Sequence, residues 1–311
     1  MNRQVWFNGK LVSESEAKLS IYDSALMYAD LPFEMLRTFN KRTFKLQEHL
    51  DRLYNSIKIL QIPIQYSDDI LYKAHEELLT WHIENFPEEE EWRTLINVSR
   101  GILPIYQNLL EDEGNPNVII ACFPLRYVLK DTSWVYSEGI RLAVPSQRAL
   151  PESLLDPKIK SRSRQHYKIA DLQVKGYDNE LWALLLDPDG FIAEGTGSNF
   201  FIVKNEKLYT PEGRNCLRGI TRQYVMEWLS WDCIEKNLTF YDAITADEAF
   251  MTCTPYCIIP VKSIDGHGLT CVGEMTRFLM DKWINHVKCD FVRQSIRWDM
   301  KDGQLRLVSN E

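Results

Sequence analysis

The sequence predicts an α+β protein of two domains, and three observations carry that expectation. A chain of 311 residues is long enough for two separately buried cores. Its strand signals come as hairpins and its helix signals stand apart from them, whereas a doubly wound sheet requires regular strand–helix alternation. Between Pro124 and about Trp134 the hydrophobic pattern lapses, which marks a connection between domains. The expected boundaries are a smaller N-terminal α/β domain at 1–124, a connection at 125–135, a larger C-terminal domain at 136–290 and a tail at 291–311.

Each element has its own signal. VWFNGKLV reads as two strands folded at Asn8-Gly9. In QEHLDRLYNSIKIL, Leu50, Leu53, Ile57 and Leu60 make one apolar stripe on a helix. A second helix, DDILYKAHEELLTWHIENF, ends at Pro87, and the acidic run Glu88–Glu91 reads as a solvated loop. TLINVS and VIIACF are strands. GIRLAVPS follows as a strand, then a proline-bearing basic loop at 151–164 and a helix near 165–175. LWALLLDPDGFIAEG reads as a hairpin turned at Asp-Pro-Asp-Gly. NFFIV and KLYTP form a further pair. GITRQYVMEWLS is helical, with Ile220, Tyr224 and Trp228 on one face. AFMTCT and CIIPVKSIDG close a sheet before the helix MTRFLMDKWINHV.

Composition narrows the function classes. The net charge of −8 disfavours non-specific binding to nucleic acid. The N-terminus lacks the apolar core of a signal peptide and no run approaches 18 apolar residues, so a cytoplasmic protein with no membrane partner is expected. Seven cysteines form no C-x-x-C, and Cys253 and Cys257 have no nearby histidine; they read as small buried apolar residues, and no metal is expected. Phosphate-loop, serine-hydrolase and zinc-protease motifs are absent. Gly195-Thr196-Gly197-Ser198-Asn199-Phe200 fails as a dinucleotide fingerprint, because Phe stands where a third Gly belongs and a strand follows.

A few residues could carry chemistry. Lys160 sits in DPKIKSRSRQHYK among Lys158, Arg162, Arg164 and Lys168. Neighbouring positive charge lowers the pKa of a lysine and so favours attack on a carbonyl to form a Schiff base; a solvated basic loop is the plain alternative. Arg52 follows Glu48 by four residues, a surface ion-pair spacing or a phosphate-clasping guanidinium. Leu217-Arg218-Gly219-Ile220-Thr221 opens a helix, where free N–H groups attract an anion. Glu194, at a strand end, could keep a pyridine nitrogen protonated or simply be exposed.

Taken together and in order, these blocks are similar to the fold-type-IV pyridoxal-phosphate enzymes: branched-chain aminotransferases, D-amino-acid aminotransferases and aminodeoxychorismate lyase. The resemblance runs from about Val5 to about Val287 through FEMLRTFNKRTFKLQEHLDRLYNS, IKS, DPDGFIAEGTGSNFF, LRGITR and ADEAFMTCT. It implies that Lys160 is the Schiff-base lysine, with its 34-residue lead over Glu194 suiting branched-chain members. It further implies that Arg52 binds the phosphate of pyridoxal 5′-phosphate and that Glu194 partners the pyridine nitrogen. Leu217 would pack under the ring, Ile220 and Thr221 would hold the phosphate with Thr254 on a facing turn, and Arg148 would lie near the phenolic oxygen. Phe33 and Arg37 would line the substrate pocket.

The resemblance thus implies a homodimeric aminotransferase acting on a branched-chain-like amino donor and a 2-oxo acid. An aminodeoxychorismate-lyase-like enzyme, a D-amino-acid or primary-amine transaminase, and a non-catalytic binding protein of the same fold are the alternatives. Departures from the family concern the substrate. The Asn-Tyr pair that follows the lysine in many relatives reads Ser-Arg or Arg-Gln here, and RGILPIYQ lacks the Arg and His of the D-amino-acid enzymes. Pro255 has no backbone N–H, so the turn at Thr254 has one donor fewer for a substrate carboxylate. Arg37 is the first replacement, with Arg93 and Arg164 behind it.

Overall fold

The computed structural model of the chain describes residues 2–110, 113–229 and 232–301. The chain divides into two units, Met1–Leu125 with Ile159–Arg164 and Arg126–Lys158 with Gln165–Glu311.

The first unit begins with β1 (Gln4–Phe7) and β2 (Lys10–Ser13), turned at Asn8 and Gly9, both at positive φ. That is the geometry a two-residue hairpin needs, and Asn-Gly supplies it cheaply. After α1 (Ser24–Tyr28) come β3 (Phe33–Phe39), β4 (Arg42–Thr43), α2 (Leu46–Leu60), α3 (Asp68–Asn85), β5 (Trp92–Ser99), α4 (Pro104–Leu110) and β6 (Asn117–Pro124). The strands form an antiparallel sheet in the order β2-β1-β6-β5-β3-β4. One face carries Leu36, Trp92, Ile96, Val98, Val118 and Ile120, packed with Leu50, Leu53 and Ile57 of α2 and Leu71, Leu78 and Leu79 of α3. The stripe read from the sequence of α2 is this core face.

The second unit holds α5 (Arg126–Leu129), α6 (Val135–Glu138), β7 (Ile140–Ala143), α7 (Gln165–Lys175), β8 (Leu181–Leu186), β9 (Ile192–Gly195), β10 (Asn199–Lys204) and β11 (Lys207–Pro211). Then come α8 (Ile220–Tyr224), β12 (Cys233–Lys236), α9 (Phe240–Ile244), β13 (Glu248–Cys253), β14 (Cys257–Ile264), β15 (His267–Gly268), α10 (Glu274–Val287) and α11 (Phe291–Lys301). The path β10-β13-β14-β7-β8-β9 closes on itself, because Asn199 of β10 also pairs with Glu194 of β9. Closure makes a six-stranded barrel and leaves those strands no free edge. Asp187 fixes the β8–β9 turn: its Oδ1 accepts from the backbones of Asp189 and Phe191, while Gly190 takes the positive φ.

One expectation is corrected. The acidic run is not all solvated: Glu91 is buried, its carboxylate accepting from the backbones of Asn40 and Lys41 and from the Thr38 hydroxyl. Those partners lie some fifty residues upstream, beyond the reach of a local pattern. Trp228 is exposed where Ile220 and Tyr224 are buried, but like Tyr224 it packs against His286. Val225–Leu229 winds as a π-helix. Within the expected connection, Arg126–Leu129 forms the helical turn α5. Within the expected tail, Phe291–Lys301 forms helix α11, with Phe291 and Trp298 buried; residues 302–311 lie outside the described residues. None of the seven cysteines is in a disulfide; Cys122, Cys216, Cys257 and Cys289 are buried and Cys233, Cys253 and Cys271 half-buried.

Candidate active site

In the first unit, strand alternation sets the site. β3 sends Phe33, Met35 and Arg37 to one face and Glu34, Leu36 and Thr38 to the other. Glu34 meets α2, where His49 and Arg52, three residues apart, share a face. Arg52 grips both oxygens of Glu34, Nε to Oε1 and Nη2 to Oε2, each at 2.7 Å, and His49 Nδ1 lies 2.7 Å from Oε2. Burial alone would push the Glu34 carboxyl up, but the charges and hydrogen bonds of Arg52 and His49 hold it well below the usual carboxylate range. An ionised carboxylate only accepts, so Nδ1 of His49 carries the proton. Burial keeps that imidazole neutral, against the pull of Glu34. The Arg52 guanidinium is thus fixed in orientation. Glu48, four residues before it, bonds to Lys45 Nζ at 2.6 Å.

Lys160 belongs to the segment 159–164 that joins this unit. Its carbonyl accepts from Phe33 N at 2.9 Å, its N–H donates to Ser56 Oγ of α2 at 3.3 Å, and Arg162 N donates to Leu31 O at 3.0 Å. The Pro32–Ser161 bridge completes the stitching. The basic loop of the sequence is therefore anchored at the lysine, whose Nζ lies 5.1 Å from the Phe33 ring centroid. Arg37 shares the Phe33 face but is buried, its guanidinium 4.0 Å from the Phe39 centroid and its Nε on Thr38 O. Arg93, its cross-strand neighbour, approaches Met35 Sδ at 3.3 Å.

In the second unit, Glu194 is buried at the end of β9. Tyr167 Oη donates to its Oε1 at 2.5 Å, and Asn199 Nδ2 and Leu217 N donate to Oε2 at 3.2 and 3.0 Å. Asn199 Nδ2 also reaches Leu217 O at 2.8 Å, which ties the residues before α8 to the barrel. Gly219 caps α8 without a side-chain bond, and a Cβ there would stand 2.2 Å from Asn199 Oδ1. Ile220 and Thr221 come next, both buried, and Leu217 is half-buried. Thr254, Pro255 and Tyr256 form the β13–β14 turn, held by Tyr136 Oη on Tyr256 O at 3.0 Å. Arg148 is exposed.

Tyr167 is the residue that sequence reasoning missed. The family pattern puts a phenol nearer the lysine, whereas here it comes seven residues after Lys160, on the first turn of α7. The available signal was spacing: Tyr167 and Asp171 lie on one helix face, and Asp171 accepts from Thr196 just past Glu194.

The family described as amino-transferase class IV matches residues 32–264. A putative branched-chain-amino-acid aminotransferase of Methanocaldococcus jannaschii is 35% identical over 90% of this chain and 95% of its own. The chain belongs to the class-IV aminotransferases. Among solved class-IV structures, a branched-chain aminotransferase from Thermoproteus uzoniensis, with norvaline, matches at TM-score 0.80 and 27% identity, covering 96% of this chain and 98% of its own. A T.th. branched-chain amino acid aminotransferase complexed with N-(5′-phosphopyridoxyl)-L-glutamate matches at TM-score 0.79 and 26% identity, covering 93% and 95%. The fold is therefore fold-type IV, and this class-IV aminotransferase is an enzyme dependent on pyridoxal 5′-phosphate. Its side chains fit that cofactor. An anchored lysine suits the aldehyde, an oriented arginine the phosphate, and a buried carboxylate on three donors the pyridine nitrogen.

Proposed function

We propose that the enzyme moves the amino group of a branched-chain-like amino acid to a 2-oxo acid, with Lys160 as its catalytic residue. Pyridoxal phosphate, when bound, supplies an aldehyde for covalent attachment and a ring that accepts electron density. Lys160 would hold the cofactor through its aldehyde carbon. Its Nζ would move a proton between the substrate Cα and the cofactor's C4′ carbon, as base and then acid. Tyr167, Asn199 and Leu217 N hold Glu194 in place, and Glu194 would keep the ring nitrogen protonated. Arg52 would bind the phosphate, a role to which Ile220, Thr221 and Thr254 would also contribute; Leu217 would contact the ring, and Arg148 would serve the phenolic oxygen. Phe33, Arg37 and Arg93 line the substrate side. The donor follows the names of the relatives, and the anchoring of Lys160 against β3 is the observation that carries the reading. We extend it to a cytoplasmic homodimer.

The test is a half-reaction screen of purified enzyme with leucine, isoleucine, valine and glutamate, followed by 2-oxoglutarate. Wild type should lose its yellow colour with a branched-chain donor and regain it with the oxo acid, while Lys160→Ala does neither. Turnover confined to amines without a carboxylate would overturn the donor assignment.

A further inference from the structure

Three cations of the first unit gather over one aromatic ring. Arg162 Cζ lies 3.7 Å from the Phe33 centroid, Lys160 Nζ 5.1 Å and Arg164 Cζ 5.8 Å. Phe33 is buried, so its ring is a fixed platform rather than a mobile surface contact. Arg162 is held on it from the side: Asn97, the cross-strand partner of Phe33, accepts from Nη2 at 3.1 Å. Asn97 is neutral, and among the described residues no carboxylate reaches Arg162. Burial, then the charge of Arg164, push the Arg162 guanidinium below its ordinary pKa, so the protein holds this cation at a cost.

A ring face attracts the Arg162 cation but does not neutralise it. A guanidinium has five donors in a planar fork, and Asn97 takes one. The group that completes such a fork is a planar anion, and a carboxylate matches it in two places. The cofactor phosphate is already served by Arg52 in our reading, which leaves a substrate carboxylate for Arg162.

We propose that Arg162, two residues beyond the lysine, is a substrate-binding residue that receives a carboxylate of the amino donor and of the 2-oxo acid. This rests on the aminotransferase reading above and deepens it. The substrates are amino acids rather than simple amines, and the selecting group is neither Arg37 nor a backbone N–H. Arg164 adds charge at the same place and raises the local concentration of anionic substrate.

The holoenzyme is titrated with 4-methylvalerate, a carboxylate with no amino group, following the cofactor's absorbance in wild type, Arg162→Gln and Arg162→Lys. Turnover of leucine is then compared with turnover of 3-methylbutylamine, its decarboxylated counterpart. Loss of a charge-assisted pair should weaken 4-methylvalerate about tenfold to a hundredfold in Arg162→Gln, with Arg162→Lys between. kcat/KM for leucine should fall as far, while that for the amine stays put. An unchanged affinity and an unchanged leucine-to-amine ratio in Arg162→Gln, in enzyme that still binds cofactor and turns over leucine, would overturn the Arg162 proposal alone. A wild-type protein that takes up no cofactor, or transaminates nothing, would take down the aminotransferase reading and this one with it.

Discussion

Glu34 has no water contact and two basic partners, so its ionisation depends entirely on Arg52 and His49. Removing its charge strands the Arg52 guanidinium, itself 11% exposed, against a neutral amide. Glu34→Gln should therefore lose about 3–5 kcal/mol of unfolding free energy in urea, and should also weaken titration of apo-enzyme with pyridoxal phosphate. A loss below about 1 kcal/mol, the range of a surface pair, would contradict a fixed Arg52. The same cluster sets a pH dependence. Glu34 has a folded pKa below its unfolded value of about 4.3, so its contribution is present above that pH and is lost as pH falls through the folded pKa. His49 is likewise depressed, by burial, so its neutral form favours the fold above about pH 6.5 and acid removes that preference. Between pH 7 and 5 wild type should lose stability, and His49→Asn should show a shallower slope. His82, also kept low by burial, leaves some slope behind. An unchanged slope in His49→Asn would mean His49 does not titrate on unfolding.

At the level of elements, the start of α8 is tied to the barrel through Asn199. Gly219→Ala would place a methyl carbon against Asn199 Oδ1 and push that side chain off Glu194 and Leu217. Overpacking of this kind costs about 1–3 kcal/mol. The variant should melt earlier and bind pyridoxal phosphate less tightly; wild-type behaviour in both would show that Asn199 is not needed to place Glu194. Periodicity made much of this legible from sequence. Asn8-Gly9 announced its hairpin, the Leu50–Leu53–Ile57 stripe its helix, and Asp187–Gly190 its turn, because each signal is local. Glu91 and Tyr167 were not legible. Their partners, Thr38 and Glu194, lie 53 and 27 residues away in sequence and meet them only in the fold. Trp228 lies in a π-helical turn, which a 3.6-residue period does not describe. At the site, the order of blocks singled out Lys160 and Glu194 as candidates, but no local pattern could tell that Arg52 would be locked by Glu34 or that Arg162 would lie on Phe33.

On the scale of the molecule, one surface and one bond decide the account. In the first unit, Tyr22 and Tyr106 pack at 4.6 Å and Asp23 bridges Ile102, which brings the starts of α1 and α4 together. Leu26, Tyr28, Ile105 and Leu109 on these helices are all more than two-thirds exposed. Exposed large apolar residues concentrated in this way mark an interaction surface, which supports the homodimer we propose. Light scattering should give a dimer or a multiple of it, and Ile105→Glu with Leu109→Glu should shift it toward monomer; an active wild-type monomer would contradict the assembly. The central claim is the bond at Lys160. Purified enzyme is reduced with borohydride, digested, and its phosphopyridoxyl-bearing peptide sequenced by mass spectrometry. The label should sit on Lys160 and disappear in Lys160→Ala, while Lys168→Ala keeps it. A label on Lys168, or one that survives Lys160→Ala, would contradict the account.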